Sequence, residues 1–201
     1  MAGFLTFTFK VYVKKILGLK IEDLRYYRID LNDFNMPENA PSFKKLDFDE
    51  IKEAAKTDSG NVFLYPAKLR RIKQALDTGT QECYALFEGE KLASFGLINY
   101  HLSGRRLDKV EFTEQDAYLW DDFTYPEFRG EGLHATSIRH RLMKAKENGK
   151  RYAWSSVYLH NKASAKNFLS VGFLPVFDVC TIRRKNGKVL LKRIKMKNPG
   201  K

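Results

Sequence analysis

The stretch YPEFRGEGLHATSIRHRL, residues 125–142, decides the fold. Tyr125, Pro126 and Arg129 lead into Gly130 and Gly132, and helical periodicity follows at once. Upstream, DAYLWDDFTY (116–125) reads as a strand. Downstream, Leu133, Ile138, Leu142 and Ala145 share one helical face, and ENGK (147–150) stops the helix. A strand that runs into glycines and then a helix gathers free backbone N–H groups at the positive end of the helix dipole. That is a site for an anion such as phosphate. Gly130 and Gly132 let the backbone approach such a group without a Cβ in the way, and Arg129 adds charge-assisted hydrogen bonds. Taken alone, a glycine pair between strand and helix is more often a plain turn. No Gly-Lys-Ser/Thr follows, which excludes a P-loop. No acidic residue stands where a Rossmann dinucleotide unit needs one.

The rest of the chain alternates strands and helices around this corner. RYAWSSVYL (151–159) reads as a strand. Asn161 caps a short helix, KASAKNFLSV (162–171), in which Ala165, Phe168 and Leu169 share a face and which Gly172 ends. Two strands in 173–196 flank Asn186-Gly187, a strong hairpin turn. Near the start, Leu5, Phe7, Phe9, Val11 and Val13 alternate with Thr6, Thr8, Lys10, Tyr12 and Lys14. This favours a strand over 4–14, with a basic amphipathic helix through KKILGLK as the rival. RYYRIDL (25–31) is a strand and NMPENAPS (35–42) a loop. DFDEIKEAAK (47–56) is a helix capped by Asp47 or Asp49, and PAKLRRIKQALDTG (66–79) a second, with Pro66 in its first turn and Gly79 past its end. ECYALFEGEKLASFGLINY (82–100) is a hairpin around Glu88-Gly89-Glu90, and GRRLDKVEFTEQ (104–115) an exposed connection. The order predicts an α/β domain with a mixed sheet. Residues 1–45 form an N-terminal extension with the first strand or strands, and 46–197 the main domain.

With 201 residues, 43% of them apolar, the chain can bury a core without disulfides or metals. Cys83 and Cys180 lie far apart and fit reduced thiols. His101, His140 and His160 share no ligand spacing with cysteines or carboxylates, so no metal site is expected, and no Ser/His/Asp set supports a hydrolase. The apolar N-terminus is broken by Lys10, Lys14 and Lys15 and lacks the run of about 20 apolar residues a spanning helix needs. Its lysines follow the apolar part, unlike those of a signal peptide. A cytoplasmic location is the expectation. The net charge of +12 points to an anionic partner: a phosphorylated cofactor, an acidic carrier protein, a membrane surface or nucleic acid. Scattered solubilising lysines explain it equally. The basic segments lack interleaved aromatics, so no specific nucleic-acid binding is expected. Lys14, Lys15 and Lys20 beside apolar residues suit peripheral membrane contact, as they suit a plain strand and basic loop. The oligomeric state is not legible.

Arg129-Gly130-Glu131-Gly132-Leu133-His134, preceded by Thr124-Tyr125-Pro126, is followed by Asn161, Ser164, Phe168 and Gly172-Phe173. In both motifs and in element order the chain resembles the GNAT superfamily of acyl-CoA-dependent N-acyltransferases. The resemblance covers residues 80–195 well, the helices in 46–79 loosely, and the first 25 residues not at all.

The resemblance implies a mixed, mostly antiparallel sheet flanked by helices, with the strand before the glycine loop and the next strand splayed apart. It implies acetyl-CoA or another acyl-CoA as co-substrate and a small-molecule or peptide amine as acceptor. An acyl carrier protein is an alternative donor, and a non-catalytic coenzyme- or anion-binding module an alternative function. By position, the backbones of Phe123, Thr124 and Tyr125 meet the pantetheine arm. Arg129, Gly130, Gly132, Leu133 and His134 hold the pyrophosphate. Asn161 reaches the arm or caps the last helix. Strand alternation places Tyr118, Trp120 and Asp122 on one face, making Asp122 the first candidate base, with Trp120 as an apolar neighbour. Asp121 is the alternative if a bulge shifts the register. Both aspartates could instead bind backbone or an arginine. Two positions depart from the family pattern. His134 stands where glycine or alanine is usual and could add a phosphate contact. Phe168 stands where tyrosine often serves as the general acid. Either Tyr158 substitutes, or the thiolate, whose thiol has a pKa of about 8.5, leaves unassisted. Tyr65, Tyr100, Tyr118 and Trp120 hint at a ring-bearing acceptor, or are simply core.

Overall fold

The computed structural model describes residues 19–36, 41, 43–56, 63–107 and 110–196; the strand expected over 4–14 lies outside them. In chain order the elements are β1 (Leu19–Asp30), β2 (Lys44–Leu46), α1 (Phe48–Lys56), α2 (Pro66–Leu76), β3 (Gln81–Glu88) and β4 (Lys91–Asn99). The two-residue strands β5 (Arg106–Leu107) and β6 (Val110–Glu111) follow, then β7 (Asp116–Thr124), a 3-10 turn (Pro126–Phe128) and α3 (Leu133–Glu147). Then come β8 (Tyr152–Tyr158), α4 (Lys162–Val171), β9 (Leu174–Arg184) and β10 (Val189–Met196). The strands hydrogen-bond in the order β10-β9-β1-β8-β7-β4-β3-β2, an open, mostly antiparallel sheet. This is the mixed α/β class expected. The short strands β2, β5 and β6 were not anticipated, because two or three residues carry no periodicity.

Two compact units share the chain, and β1, β8 and α4 each pass from one to the other. The larger comprises Arg28–Ser155 and Asn167–Phe173. Its first helix starts on a capping box: Glu50 N–H donates to Asp47 Oδ1 and Asp47 N–H donates to Glu50 Oε2. Asp47, not Asp49, is therefore the cap. Pro66 opens α2 at a position where a missing N–H costs nothing. Ile51, Ala54 and Ala55 of α1 and Ile72 of α2 pack against Cys83, Ala85, Phe95 and Leu97 of the β3–β4 hairpin. Each fully buried large side chain here contributes about 1.5–3 kcal/mol. The hairpin turns at Gly89 (φ 62), as Glu88-Gly89-Glu90 foretold.

On α3, Leu133, Ile138, Leu142 and Ala145 are all buried, as their spacing predicted. In α4, Phe168 and Val171 carry the buried face, whereas Leu169 is 51% exposed and does not share Phe168's surroundings. The smaller unit holds the β9–β10 hairpin, closed at Gly187 (φ 84). There Arg25 of β1 grips Asp178 with two hydrogen bonds of 2.6 and 3.0 Å, and Tyr26 stacks on Phe177. No helix among the described residues is long and apolar enough to cross a membrane.

Candidate functional site

The centre of β7 is irregular. Phe123 pairs with Phe95 and Trp120 with Leu97, so Gly96 alone faces both Asp121 and Asp122. Two residues against one make a β-bulge. Asp121 sits at φ 57, the only non-glycine residue at positive φ among those described. The extra residue breaks the period of two and overturns the expectation that Asp122 shares a face with Tyr118 and Trp120. Trp120 and Asp121, although consecutive, both meet α2. Arg71 lies 4.9 Å over the Trp120 ring and donates to Asp121 Oδ2 at 3.1 Å. Lys68 Nζ stands 2.9 Å from Asp121 Oδ1.

Asp122 turns the other way, to α3. Its Oδ1 accepts a hydrogen bond from Nη2 of Arg141, whose side chain is fully buried. Arg141 also donates to Leu97 O at 3.0 Å and Ser137 O at 3.2 Å. The guanidinium fits because residue 96 is glycine: a Cβ there would lie 2.5 Å from Arg141 Cζ. Bulge, glycine and arginine therefore form one device. Trp120 is not the neighbour that sets the Asp122 environment; Arg141 is. Sequence reasoning missed Arg141 and Lys68. The available signals were an arginine on the apolar stripe of α3 and a glycine inside an apolar strand.

Over its first residues β7 pairs with its parallel partner β8. The register with β8 runs Asp116↔Tyr152, Ala117↔Ala153 and Tyr118↔Trp154 and stops there. At the next position a side chain replaces the backbone rung, with Ser155 Oγ donating to Leu119 O at 3.0 Å. Further along, Tyr125 N–H donates to Ala93 O, Ser94 Oγ donates to Phe123 O, and Arg129 Nε donates to Thr124 O at 3.1 Å. Some of the backbone groups sought for a pantetheine arm are therefore already engaged within the larger unit. The Arg129 guanidinium also lies 5.6 Å over Phe123.

The glycine corner itself is shaped by two residues in the left-handed region. Gly130 has φ 93 and Gly132 φ 75, and a Cβ at either would meet nothing within 4 Å. Positive φ, rather than crowding, selects glycine here. Gly132 is the N-cap of α3 and has no side chain to occupy the helix's first N–H groups. The donors and the open space fit a diphosphate.

His134 does not turn toward this corner. Its Nδ1 accepts a hydrogen bond from Asn167 Nδ2 at 2.8 Å, which puts the ring proton on Nε2. Nε2 is buried, 3.8 Å from Asp122 Oδ1. Burial pushes the imidazole pKa below its ordinary value, outweighing Asp122. Any His134 contact with phosphate is through its backbone. Phe168 is 1% exposed, edge-on to His134 and Phe173, and is a packing residue beneath that histidine. Asn161, in the smaller unit, caps α4: its Oδ1 accepts Ser164 N–H and its carbonyl accepts Ala165 N–H. Tyr158, in the same unit, is 44% exposed and stacks on His160. Tyr100 is buried and donates to Glu82, whereas Tyr65 is exposed.

A helix-flanked open sheet with a bulged central strand and a glycine corner at the next helix is the fold of GNAT acetyltransferases. The solved structures say the same. A GNAT-family protein from Novosphingobium aromaticivorans superposes with a TM-score of 0.58 at 16% identity, covering 89% of this chain and 66% of that one. A GNAT-family acetyltransferase from Colwellia psychrerythraea gives 0.59 at 15% identity, with coverages of 88% and 61%. An aminoglycoside antibiotic 6'-N-acetyltransferase from Acinetobacter haemolyticus gives 0.53 at 15%, with 67% and 91%. The chain thus spans just under two thirds of the length of the first two. No protein-family model matches the sequence, and no curated protein does.

Proposed function

We propose that the chain is an N-acyltransferase that moves an acetyl or longer acyl group from acyl-CoA to an amine. The observation that carries this is the uncapped glycine corner that follows β7, a strand whose backbone register with its parallel neighbour ends at Tyr118. The backbone N–H groups of Gly130, Gly132, Leu133 and His134 would hold the pyrophosphate, with Arg129 adding charge. Backbone groups of Phe123 and Thr124 that β4 and Arg129 leave available would line the arm, and Tyr125 would contribute mainly its ring packing. Asn161 acts through α4, which it caps. The bound acyl-CoA supplies an activated thioester carbonyl.

Of the two aspartates, Asp121 stands on the α2 side, where an acceptor would approach. Its partner Arg71 is 60% exposed and exchangeable, whereas Lys68 is buried. An incoming ammonium displaces Arg71, and Asp121 takes its proton. Asp122, held by Arg141, is a positioning residue that keeps the bulge in shape. The departing thiolate, with a thiol pKa of about 8.5, leaves without an obligatory acid. The Tyr158 phenol is the alternative proton donor, and Tyr158→Phe separates the two: unchanged turnover supports unassisted departure, while a loss of about 100-fold would assign the acid role to the phenol.

The test is release of free thiol from acetyl-CoA against a panel of primary amines. Amine-dependent, saturable release supports the proposal. Coenzyme binding with no release from any amine would identify a non-catalytic binder instead.

A further inference from the structure

The larger unit carries a cavity of about 410 Å³ whose wall includes Arg71, Gln74, Asn99, Arg105, Tyr118 and Trp120. Among the described residues its charge is one-sided: two arginines line it and no carboxylate does. Arg105 has no carboxylate within ion-pairing distance among the described residues. The Trp120 ring is fixed as a wall, because its Nε1–H donates to Gln81 Oε1 at 3.0 Å. Arg71 lies over that ring and links the cavity to Asp121 at the bulge.

We infer that this cavity binds the anionic part of the acceptor, so that the preferred acceptor is an amine bearing a carboxylate or phosphate group. Guanidinium forks match the paired oxygens of such groups, and a concave wall concentrates their field. A zwitterion also satisfies the charges already present. Its ammonium takes the place of Arg71 at Asp121, and its anion receives the released Arg71 together with Arg105. Every charge ends with a partner. A polycation finds two like charges and one aspartate already shared with Lys68. The solved neighbour that acetylates aminoglycosides is thus a guide to the fold and not to the acceptor. The inference rests on the acyltransferase reading for the role of the amine, but the anion preference follows from the cavity alone.

The experiment titrates the whole protein, without acyl-CoA, and follows tryptophan fluorescence, since Trp120 lines the cavity. The probes are glycyl-phenylalanine, its C-terminal amide, phosphoethanolamine and a polycationic aminoglycoside. The dipeptide acid and its amide differ at the carboxylate while keeping the same amine. The acid is expected to bind about fivefold to tenfold tighter than the amide. Arg105→Gln should erase that ratio and Arg105→Glu should invert it, both with unchanged circular dichroism. Saturable binding of phosphoethanolamine marks phosphate as an accepted anion, and tighter binding of the dipeptide acid marks the carboxylate as preferred. Equal or tighter binding of the amide, or an aminoglycoside preference, would overturn the inference. So would a ratio that survives Arg105→Glu, or no saturable signal from either anionic probe up to about 10 mM. A parallel titration with acetyl-CoA keeps the two claims separate. Its failure removes the acyltransferase reading, while the acid-to-amide ratio still judges the cavity.

Discussion

Replacing Gly96 by alanine tests the device at the centre of the larger unit. An added Cβ would stand 2.5 Å from Arg141 Cζ, 2.6 Å from Nη1 and 2.8 Å from Nη2, all too close for ordinary contact. The guanidinium must retreat. It is fully buried, so retreat strains its bonds to Leu97 O, Ser137 O and Asp122 together. Breaking a buried ion pair by removing one side costs about 3–5 kcal/mol. A long side chain can recover part of this by bending, so Gly96→Ala should cost about 2–4 kcal/mol. For a chain of this length that lowers the melting midpoint by about 4–16 °C. The assay is thermal and urea unfolding of Gly96→Ala, alone and in an Arg141→Met, Asp122→Asn background. That background removes both charges, leaves no carboxylate without its cation, and clears the space beside residue 96. There the alanine should cost less than about 1 kcal/mol, giving a coupling of about 2 kcal/mol. If the cost is the same in both backgrounds, the clash with Arg141 is not what demands glycine.

Two further outcomes follow from buried charge. His140 lies between Tyr84 and Phe43, 3% exposed, with an Nε2 that has no hydrogen-bond partner among the described residues, and burial pushes its pKa down to about 4. Because the folded value lies below the unfolded one of about 6.5, the unfolded chain binds the proton more readily. The contribution is complete above about pH 6.5 and is lost as pH falls toward 4, a loss of about 3 kcal/mol. Urea midpoints across this window should fall steeply for the native chain and less for His140→Phe; equal slopes would refute the assignment. At the bulge, Asp121→Asn keeps a residue that tolerates positive φ but deprives buried Lys68 of its carboxylate. Stability should drop by about 2–4 kcal/mol, and amine-dependent thiol release by about 100-fold. Full activity in this variant would remove Asp121 from the mechanism.

What the sequence disclosed was local. The glycine corner, the Asn161 cap and the tight turns at Gly89 and Gly187 each depend on a few adjacent residues, and each stands where the residues put it, whereas the choice between Asp47 and Asp49 as cap took the structure. The buried stripe on α3 followed from helical period alone. What stayed hidden was made by pairing across the sheet. The bulge exists because Gly96 faces two residues of β7, and no window on β7 by itself reveals that. It moved Asp122 to the opposite face and left Asp121 toward α2. Arg141 read as one more cation in a basic chain until its position on the apolar stripe met the space beside Gly96. Helical period puts Leu169 on the same face as Phe168, yet Phe168 is buried and Leu169 faces solvent.

Calorimetric titration with acetyl-CoA addresses the central claim most directly. Uncapped amides at Gly130–His134 should bind one equivalent with micromolar affinity, and Gly132→Glu, which brings a carboxylate to the diphosphate site and strains φ 75, should weaken binding at least tenfold. No heat at millimolar ligand, or equal affinity in the variant, would contradict the account.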